Sequence, residues 1–136
     1  MSKRRNTDGL EPPLETAITE TIQDWAHYRP DLTVWRLNTG VAWLPGKGGK
    51  ERPVSFGLKG QPDLIGFLAP WGVFIGIEVK RPGRWASPLT DEQRAMGEAI
   101  RRAGGIWFIA TSVDDAIKGV EDARRELAAR TRGSPP

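Results

Sequence analysis

The chain has 136 residues, a formal net charge of +3, one histidine and no cysteine. A chain of this length is expected to form one domain with its own core, without disulfide bonds or cysteine-bound zinc. No apolar run is as long as a membrane span and no signal-peptide core follows Met1, so we expect a cytoplasmic protein with no membrane partner. The slight excess of basic residues is compatible with a polyanionic partner but does not require one.

The first half of the chain predicts one helix followed by short strands and turns. Leu14, Ile18 and Ile22 recur at helical spacing, and the helix is expected to end before Pro30, because a residue that precedes proline disfavours helical backbone. The following segments are predicted as a strand at 32–37, a turn at 38–40, a flexible basic loop at 44–50, a strand at 53–56 and a glycine-rich turn at 57–62. Residues 1–13 are expected to be a flexible basic tail.

The second half predicts two paired strands, a helix, a strand and a last helix. They are assigned to residues 63–68, 73–80, 90–103, 106–110 and 113–130, in that order. Thr90 and Gln93 have the spacing of a capping box, and Ser112 is suited to cap the last helix. Residues 14–130 are therefore predicted to form a single α/β domain of order α-β-β-β-β-α-β-α, with a central mixed β-sheet flanked by helices. Residues 131–136 are predicted to be a flexible tail.

Three charged residues, Asp63, Glu78 and Lys80, stand at the ends of two apolar strands. Alternation puts Glu78 and Lys80 on one face, and pairing of the strands brings Asp63 to the same edge. Burying charge is costly unless the charge is paired or bound to a metal. Because the chain has only His27 and no cysteine, a metal would be held by oxygen ligands, which favours Mg²⁺ or Mn²⁺. Asp63, Glu78 and the backbone carbonyl of Val79 are the candidate ligands, and Lys80 supplies a cation suited to phosphodiester hydrolysis.

Glu15 is a further candidate because it lies at the border of the buried face of the first helix. It is either an additional metal or water ligand, or a first-turn acid that the helix dipole favours. Glu20 points nearly the opposite way, toward solvent.

The motifs around these residues are similar to those of a known nuclease family. They comprise Gly60-Gln61-Pro62-Asp63-Leu64-Ile65-Gly66-Phe67, Gly76-Ile77-Glu78-Val79-Lys80-Arg81-Pro82-Gly83, Gln93 on the next helix and Ala103-Gly104-Gly105 after it. In this order they resemble the VRR-NUC branch of the PD-(D/E)xK nuclease superfamily, from about residue 15 to residue 117. The loop at 84–90 is a few residues longer than that pattern leads one to expect.

The resemblance implies a PD-(D/E)xK fold and cleavage of DNA with Mg²⁺ or Mn²⁺. For small stand-alone phage and bacterial members it implies homodimers that resolve four-way (Holliday) junctions. By matching position, it makes Asp63 and Glu78 the metal-binding carboxylates, Lys80 the catalytic lysine, Glu15 the acid of the first helix and Gln93 the motif glutamine. Gln93 would support Lys80 or the phosphate, or serve its capping box alone, and the two roles can coexist.

Candidates for contacts with the DNA backbone are Arg36, Asn38, Lys47, Lys50, Lys59, Arg81 and Arg84. Phosphate contacts position DNA without reading its sequence, so we expect selectivity for DNA structure. The glycine-rich segment around Lys47 lacks Gly-Lys-Ser/Thr, which predicts a hairpin tip and no nucleotide cofactor. The alternatives are a flap, nicking or restriction-type endonuclease, and a DNA-binding protein that kept this fold without catalysis.

Overall fold

The computed structural model describes residues 10–37 and 40–133. The helices are α1 (Glu15–His27), α2 (Asp91–Arg102) and α3 (Val113–Gly133). The strands are β1 (Leu32–Arg36), β2 (Gly40–Pro45), β3 (Glu51–Phe56), β4 (Leu64–Leu68), β5 (Val73–Val79) and β6 (Ile106–Ala110). Short 3₁₀ turns cover Lys47–Gly49 and Gly83–Trp85. No helix in the described part of the chain combines the length and the apolar character that crossing a bilayer requires.

The main sheet contains four strands in the order β1-β4-β5-β6. β4 is antiparallel to both β1 and β5, whereas β6 is parallel to β5 because α2 makes the crossover between them. α1 and α3 cover one face of this sheet, and α2 packs on the other face, over β5 and β6. The predicted mixed β-sheet flanked by helices is confirmed.

Alternation along β5 explains why the two faces of the sheet differ. Ile75 and Ile77 are fully buried in the core that α1 and α3 cover. Gly76 and Glu78 alternate with them and face α2, where a Cβ on Gly76 would lie 3.2 Å from Ile100. One strand therefore supplies apolar core on one face and a carboxylate on the other.

The N-terminal half contains one strand more than predicted. Residues 44 and 45 belong to β2 instead of a flexible loop, and β2 pairs with β3 in a separate two-stranded sheet. β2 is apolar from Val41 to Leu44, so it lacks the alternation that marks a half-buried strand. Its connection to β3 is a tight turn, as expected for a hairpin tip, in which the Gly46 N–H donates to the Lys50 carbonyl at 2.9 Å. The turn predicted at 38–40 begins outside the described residues.

Both ends of the described chain are tied to the domain. α3 continues through Gly133, three residues beyond its predicted end, and the Trp71 indole N–H donates to Thr131 Oγ1 at 3.1 Å. At the other end, Arg81 donates to the carbonyl oxygens of Pro12 at 2.7 Å and Pro13 at 3.2 Å. This part of the predicted N-terminal tail is therefore held in place, whereas residues 1–9 and 134–136 lie outside the described residues.

Asp31 ties the end of α1 and the start of β1 to α3. Its carboxylate accepts hydrogen bonds from Arg29 Nε at 2.9 Å, Arg29 Nη2 at 2.8 Å and Arg124 Nη1 at 2.5 Å. Arg29 also donates to Glu121 on α3 at 2.8 Å. Hydrogen bonding to Arg29 is the main reason that the pKa of Asp31 lies below its usual value. The cluster stabilises the packing of α1 against α3.

Candidate active site

Asp63 and Glu78 are neighbours across the β4–β5 ladder. Leu64 pairs with Ile77 in this antiparallel register, so one step further along the ladder Asp63 lies opposite Glu78, with both side chains on one face. Asp63 Oδ2 accepts a hydrogen bond of 2.7 Å from the backbone N–H of Val79. This bond fixes the Asp63 carboxylate at the end of the strand pair, beside Glu78.

Gln93 joins Glu78 to Lys80. Gln93 Nε2 donates to Glu78 Oε1 at 2.8 Å, and Gln93 Oε1 accepts a hydrogen bond of 3.1 Å from Lys80 Nζ. The same oxygen accepts from the Thr90 N–H at 2.9 Å, and the Gln93 N–H donates to Thr90 Oγ1 at 3.1 Å. The predicted capping box is therefore confirmed, and the capping contacts coexist with the contacts to Glu78 and Lys80.

Ser87 connects Lys80 to the first helix. Lys80 Nζ donates to Ser87 Oγ at 3.2 Å, and the Ser87 hydroxyl donates to Glu15 Oε1 at 3.2 Å. Glu15 is the first residue of α1, so the start of this helix lies at the site. Ser87 was not identified from the sequence as a site residue. The one feature of the sequence that pointed to it was the extra length of the loop at 84–90, which carries it. All five residues predicted as catalytic therefore lie in one cluster.

Glu78 is held in an environment that disfavours its charge. It is only 2% exposed. Burial raises the pKa of Glu78 to about 8, with further increases from the charge and hydrogen bonding of Asp63, while Lys80 acts in the opposite direction. Its Oε1 accepts from Gln93, but its Oε2 is buried without a hydrogen-bond partner among the described residues. A carboxylate in this state is expected to stay protonated or to bind a cation.

The residues present fit a hard divalent cation. Asp63, Glu78, Glu15 and the Val79 carbonyl offer oxygen donors only, which are the ligands that Mg²⁺ and Mn²⁺ prefer. The unpartnered Oε2 of Glu78 is the observation that supports this fit. Across residues 10–37 and 40–133, no group of three or more His, Cys, Asp or Glu side chains is placed so that it could hold a metal ion.

Two of the predicted phosphate contacts are engaged with the protein itself. Arg81 pairs with Glu11 at 3.0 Å, donates to two backbone carbonyls of the N-terminal segment and stacks over the Trp85 ring at 5.0 Å. Lys59 forms an ion pair with Glu92 at 3.2 Å. Arg81 is therefore a structural clamp in this state, whereas the exposed Lys59 pair is easily exchanged for a phosphate.

The other predicted phosphate contacts differ in position. Those with exposed side chains are Arg36, Lys47, Lys50 and Arg84. Arg36 pairs with Leu64, and Leu64 pairs with Ile77, so these side chains share one face of the sheet. Glu78 follows Ile77 on β5 and therefore lies on the opposite face from Arg36. Lys47 and Lys50 lie at the tip of the β2–β3 hairpin. Asn38 lies outside the described residues, and its role stays a prediction.

Comparison of the chain with protein-family models, with curated proteins and with solved structures finds no match. What the site can do therefore follows from its own groups. Asp63 and Glu78 present acidic oxygens, and Lys80 presents an ammonium that two side chains hold in place. Such a site is suited to bind a phosphate ester through a cation and to stabilise negative charge that develops on it.

Proposed function

We propose that the protein is a metal-dependent DNA endonuclease that hydrolyses phosphodiester bonds, with the four-way junction as its substrate. The observation that carries this proposal is the buried Oε2 of Glu78, which accepts no hydrogen bond from the described residues. Glu78 lies opposite Asp63 on the strand ladder and is bridged through Gln93 to Lys80. A purely structural role accounts poorly for two carboxylates and an ammonium at the margin of an apolar core. The resemblance to VRR-NUC nucleases supports the same roles for these residues.

The metal would be held by the oxygen donors of the site. Asp63 and Glu78 are the proposed carboxylate ligands, the Val79 carbonyl is a third, and Glu15 completes the shell directly or through a water. When bound, a divalent metal polarises the scissile phosphate and lowers the pKa of the attacking water. Oxygen Oε2 of Glu78 is already buried at the site and accepts no hydrogen bond from an N–H or hydroxyl group of the described residues.

Lys80 is the group of this chain suited to the charge of the transition state. Its ammonium is buried, and acceptors on Gln93 and Ser87 fix its direction. A cation held in this way stabilises charge on the phosphate without having to reorganise during the reaction, and it can also orient the attacking water. Gln93 positions Lys80 and Glu78 together, so it is a positioning residue in this proposal.

The four-way junction and the homodimer are proposed on two grounds. The VRR-NUC resemblance implies, for small members of that family, the resolution of four-way junctions. Symmetric cutting of a four-way junction requires two active sites, and a dimer with two-fold symmetry is the simplest way to supply them. Exposed lysines such as Lys47 and Lys50 would contact phosphates, which favours selection by DNA structure.

A panel of linear, flap, fork and four-way DNAs with Mg²⁺ or Mn²⁺ tests the proposal. We expect paired nicks in the four-way junction, with loss of about 100-fold or more in Lys80→Ala and Glu78→Ala. Lys118→Ala, an exposed substitution on α3, is the matched control and should cleave like wild type. Equal activity in the site variants would contradict the proposal, as would DNA binding without any cleavage. Cutting at a single recognition sequence would favour a restriction-type enzyme.

A further inference from the structure

The face of the main sheet that carries Glu78 is only partly covered. α2 packs over β5 and β6 on this face, and aromatic side chains beside it stay open: Trp35 is 45% exposed, Phe67 46% and Phe74 42%. The Trp35 and Phe67 rings meet edge to face with centroids 6.2 Å apart, and Phe67 pairs with Phe74 across the ladder. The open sheet patch is defined by Thr33, Trp35, Ile65, Phe67 and Phe74.

The β2–β3 hairpin carries a second open apolar surface. Within the described residues its two strands pair only with each other, and an isolated two-stranded hairpin is marginally stable in water. On one face Trp43 lies opposite Pro53 and Val41 lies opposite Ser55. Trp43 is 62% exposed and Val41 is 53% exposed. The hairpin face is defined by Val41, Trp43, Pro45, Glu51, Pro53 and Ser55.

Neither surface is suited to a polyanion. None of the lysines and arginines within residues 10–37 and 40–133 belongs to the open sheet patch or to the hairpin face. Lys47 and Lys50 lie at the hairpin tip, and Arg52 lies opposite Leu44 on the other hairpin face. Affinity for DNA depends on cations that neutralise phosphates. An apolar protein surface is therefore the better partner for both.

We propose that these two surfaces pack against each other between two copies of the chain. The hairpin face of one copy covers the open sheet patch of the second, and the reverse contact forms in the same dimer. Because each copy supplies both surfaces, a two-fold axis closes the assembly and leaves neither surface unpaired. This interface is the contact that forms the homodimer of the proposed function. Its relation to catalysis rests on that proposed function. Ile65 of the patch pairs with Gly76, two residues from Glu78, so the partner hairpin adjoins the active site.

The exposed apolar area is sufficient for a specific dimer. The two surfaces together contain five large apolar side chains that are 42% to 62% exposed. A half-exposed side chain of this size leaves roughly 100 Å² for burial, which amounts to about 500 Å² per copy. Two copies would bury roughly 1,000 Å² before polar rim residues are added, which reaches the lower range of specific interfaces.

Paired cysteines test the contact directly, because the chain has no cysteine of its own. Thr33→Cys places a thiol in the open sheet patch and Ser55→Cys places one on the hairpin face, each at an exposed position. Mixed in equal amounts without DNA or metal, and treated with a short bis-maleimide, these variants are expected to form covalent dimers. Ser55→Cys mixed with Lys118→Cys is the control and should stay monomeric on a denaturing gel. Equal yields in the two mixtures would overturn the proposal.

The oligomeric state gives a second measurement. In sedimentation velocity we expect a wild-type dimer, and a dimer dissociation constant raised at least about 10-fold in Trp43→Glu and in Phe67→Glu, with native circular dichroism. A wild-type monomer, or a dimer that neither substitution weakens, would overturn the interface. Both measurements omit DNA. A dimer that these substitutions dissociate, but that cuts no DNA, would therefore support the interface while contradicting the proposed function.

Discussion

Gln93 Nε2 lies 2.8 Å from Glu78 Oε1 and donates a hydrogen bond to it, while the same side chain closes the capping box of α2. One residue therefore serves both the helix start and the candidate active site. Two substitutions separate these roles. Gln93→Ala removes the side-chain contacts to Glu78, to Lys80 and to the Thr90 N–H, whereas Thr90→Ala removes only the hydroxyl that accepts from the Gln93 N–H.

We expect each of these two substitutions to lower the free energy of unfolding by about 1 kcal/mol. Only Gln93→Ala should also lower the cleavage rate, by about 10- to 100-fold, since it releases both Glu78 and Lys80. Urea unfolding and single-turnover cleavage provide the two measurements. Equal loss of cleavage in Thr90→Ala would show that Gln93 acts through the helix alone.

Ser87 is predicted to position Lys80. Ser87→Ala removes the acceptor 3.2 Å from Lys80 Nζ and the donor to Glu15. The loss of these two hydrogen bonds, one from an ammonium and one to a carboxylate, should lower the single-turnover rate by about 3- to 10-fold, with little change in DNA affinity. Ser87→Thr keeps the hydroxyl at an exposed position and should recover most of the rate. A Thr variant as slow as the Ala variant would contradict this role.

Glu78 should make the metal-free protein less stable as the pH rises. Its pKa in the folded protein is raised from 4.5 to about 8, so between these values the folded protein keeps a proton that the unfolded chain has released. Stability then falls with increasing pH across this window. We expect the Tm of wild type to drop by several degrees more than that of Glu78→Gln, which has no carboxyl to titrate, between about pH 5 and pH 8.

The same pair of proteins tests the metal assignment. At the upper end of that pH range Mn²⁺ should restore the Tm of wild type and have much less effect on Glu78→Gln, because ionised Glu78 then gains a cation. Differential scanning fluorimetry with and without EDTA measures both effects. Parallel pH curves for the two proteins would argue that Glu78 does not titrate in this way.

Asp31 should contribute to stability but not to cleavage. Asp31→Asn weakens the contacts to Arg29 and Arg124 and is expected to lower the free energy of unfolding at neutral pH by about 1–2 kcal/mol. Because Arg29 lowers the pKa of Asp31, this contribution is present above the ordinary value of 3.8 and is lost as the pH falls through the lowered value. The two stability curves should therefore converge in acid. An exposed control, Asp122→Asn, should change stability by less than about 1 kcal/mol.

The hairpin tip should contribute to DNA affinity without affecting sequence preference. Replacing Lys47 and Lys50 by Ala removes two exposed cations. DNA affinity should then depend less steeply on salt, with the negative slope of log affinity against log salt reduced in magnitude by about 2. Fluorescence anisotropy with a labelled junction at several KCl concentrations measures this slope. Lys118→Ala should leave it unchanged. An unchanged slope in the double variant would place the hairpin tip outside the DNA interface.

Local chemistry made much of this structure predictable. The capping box of Thr90 and Gln93 depends on residues three positions apart, so the sequence alone was sufficient to predict the start of α2. The meeting of Asp63 with Glu78 followed from two apolar strands joined by a short turn, because antiparallel pairing then sets the register.

The features that were missed depend on contacts distant in sequence. Ser87 lies in an irregular loop, and no periodicity indicates that its hydroxyl meets Glu15, which is 72 positions away. β2 is apolar on both faces, so it lacks the alternation of a half-buried strand, and among the residues that the structure describes it pairs with β3 and not with the main sheet. Arg81 follows Lys80 directly, yet it turns toward Glu11, whereas Lys80 meets Gln93.

The link between Ser87 and Glu15 joins an exposed loop to the first residue of a helix. Loops and helix ends open at a lower free-energy cost than the strands of a sheet. Moderate warming would therefore separate Glu15 from the rest of the cluster while the sheet remains paired. The thermal lifetime of catalysis would then be governed by fraying at the beginning of α1, well before the global melting of the domain.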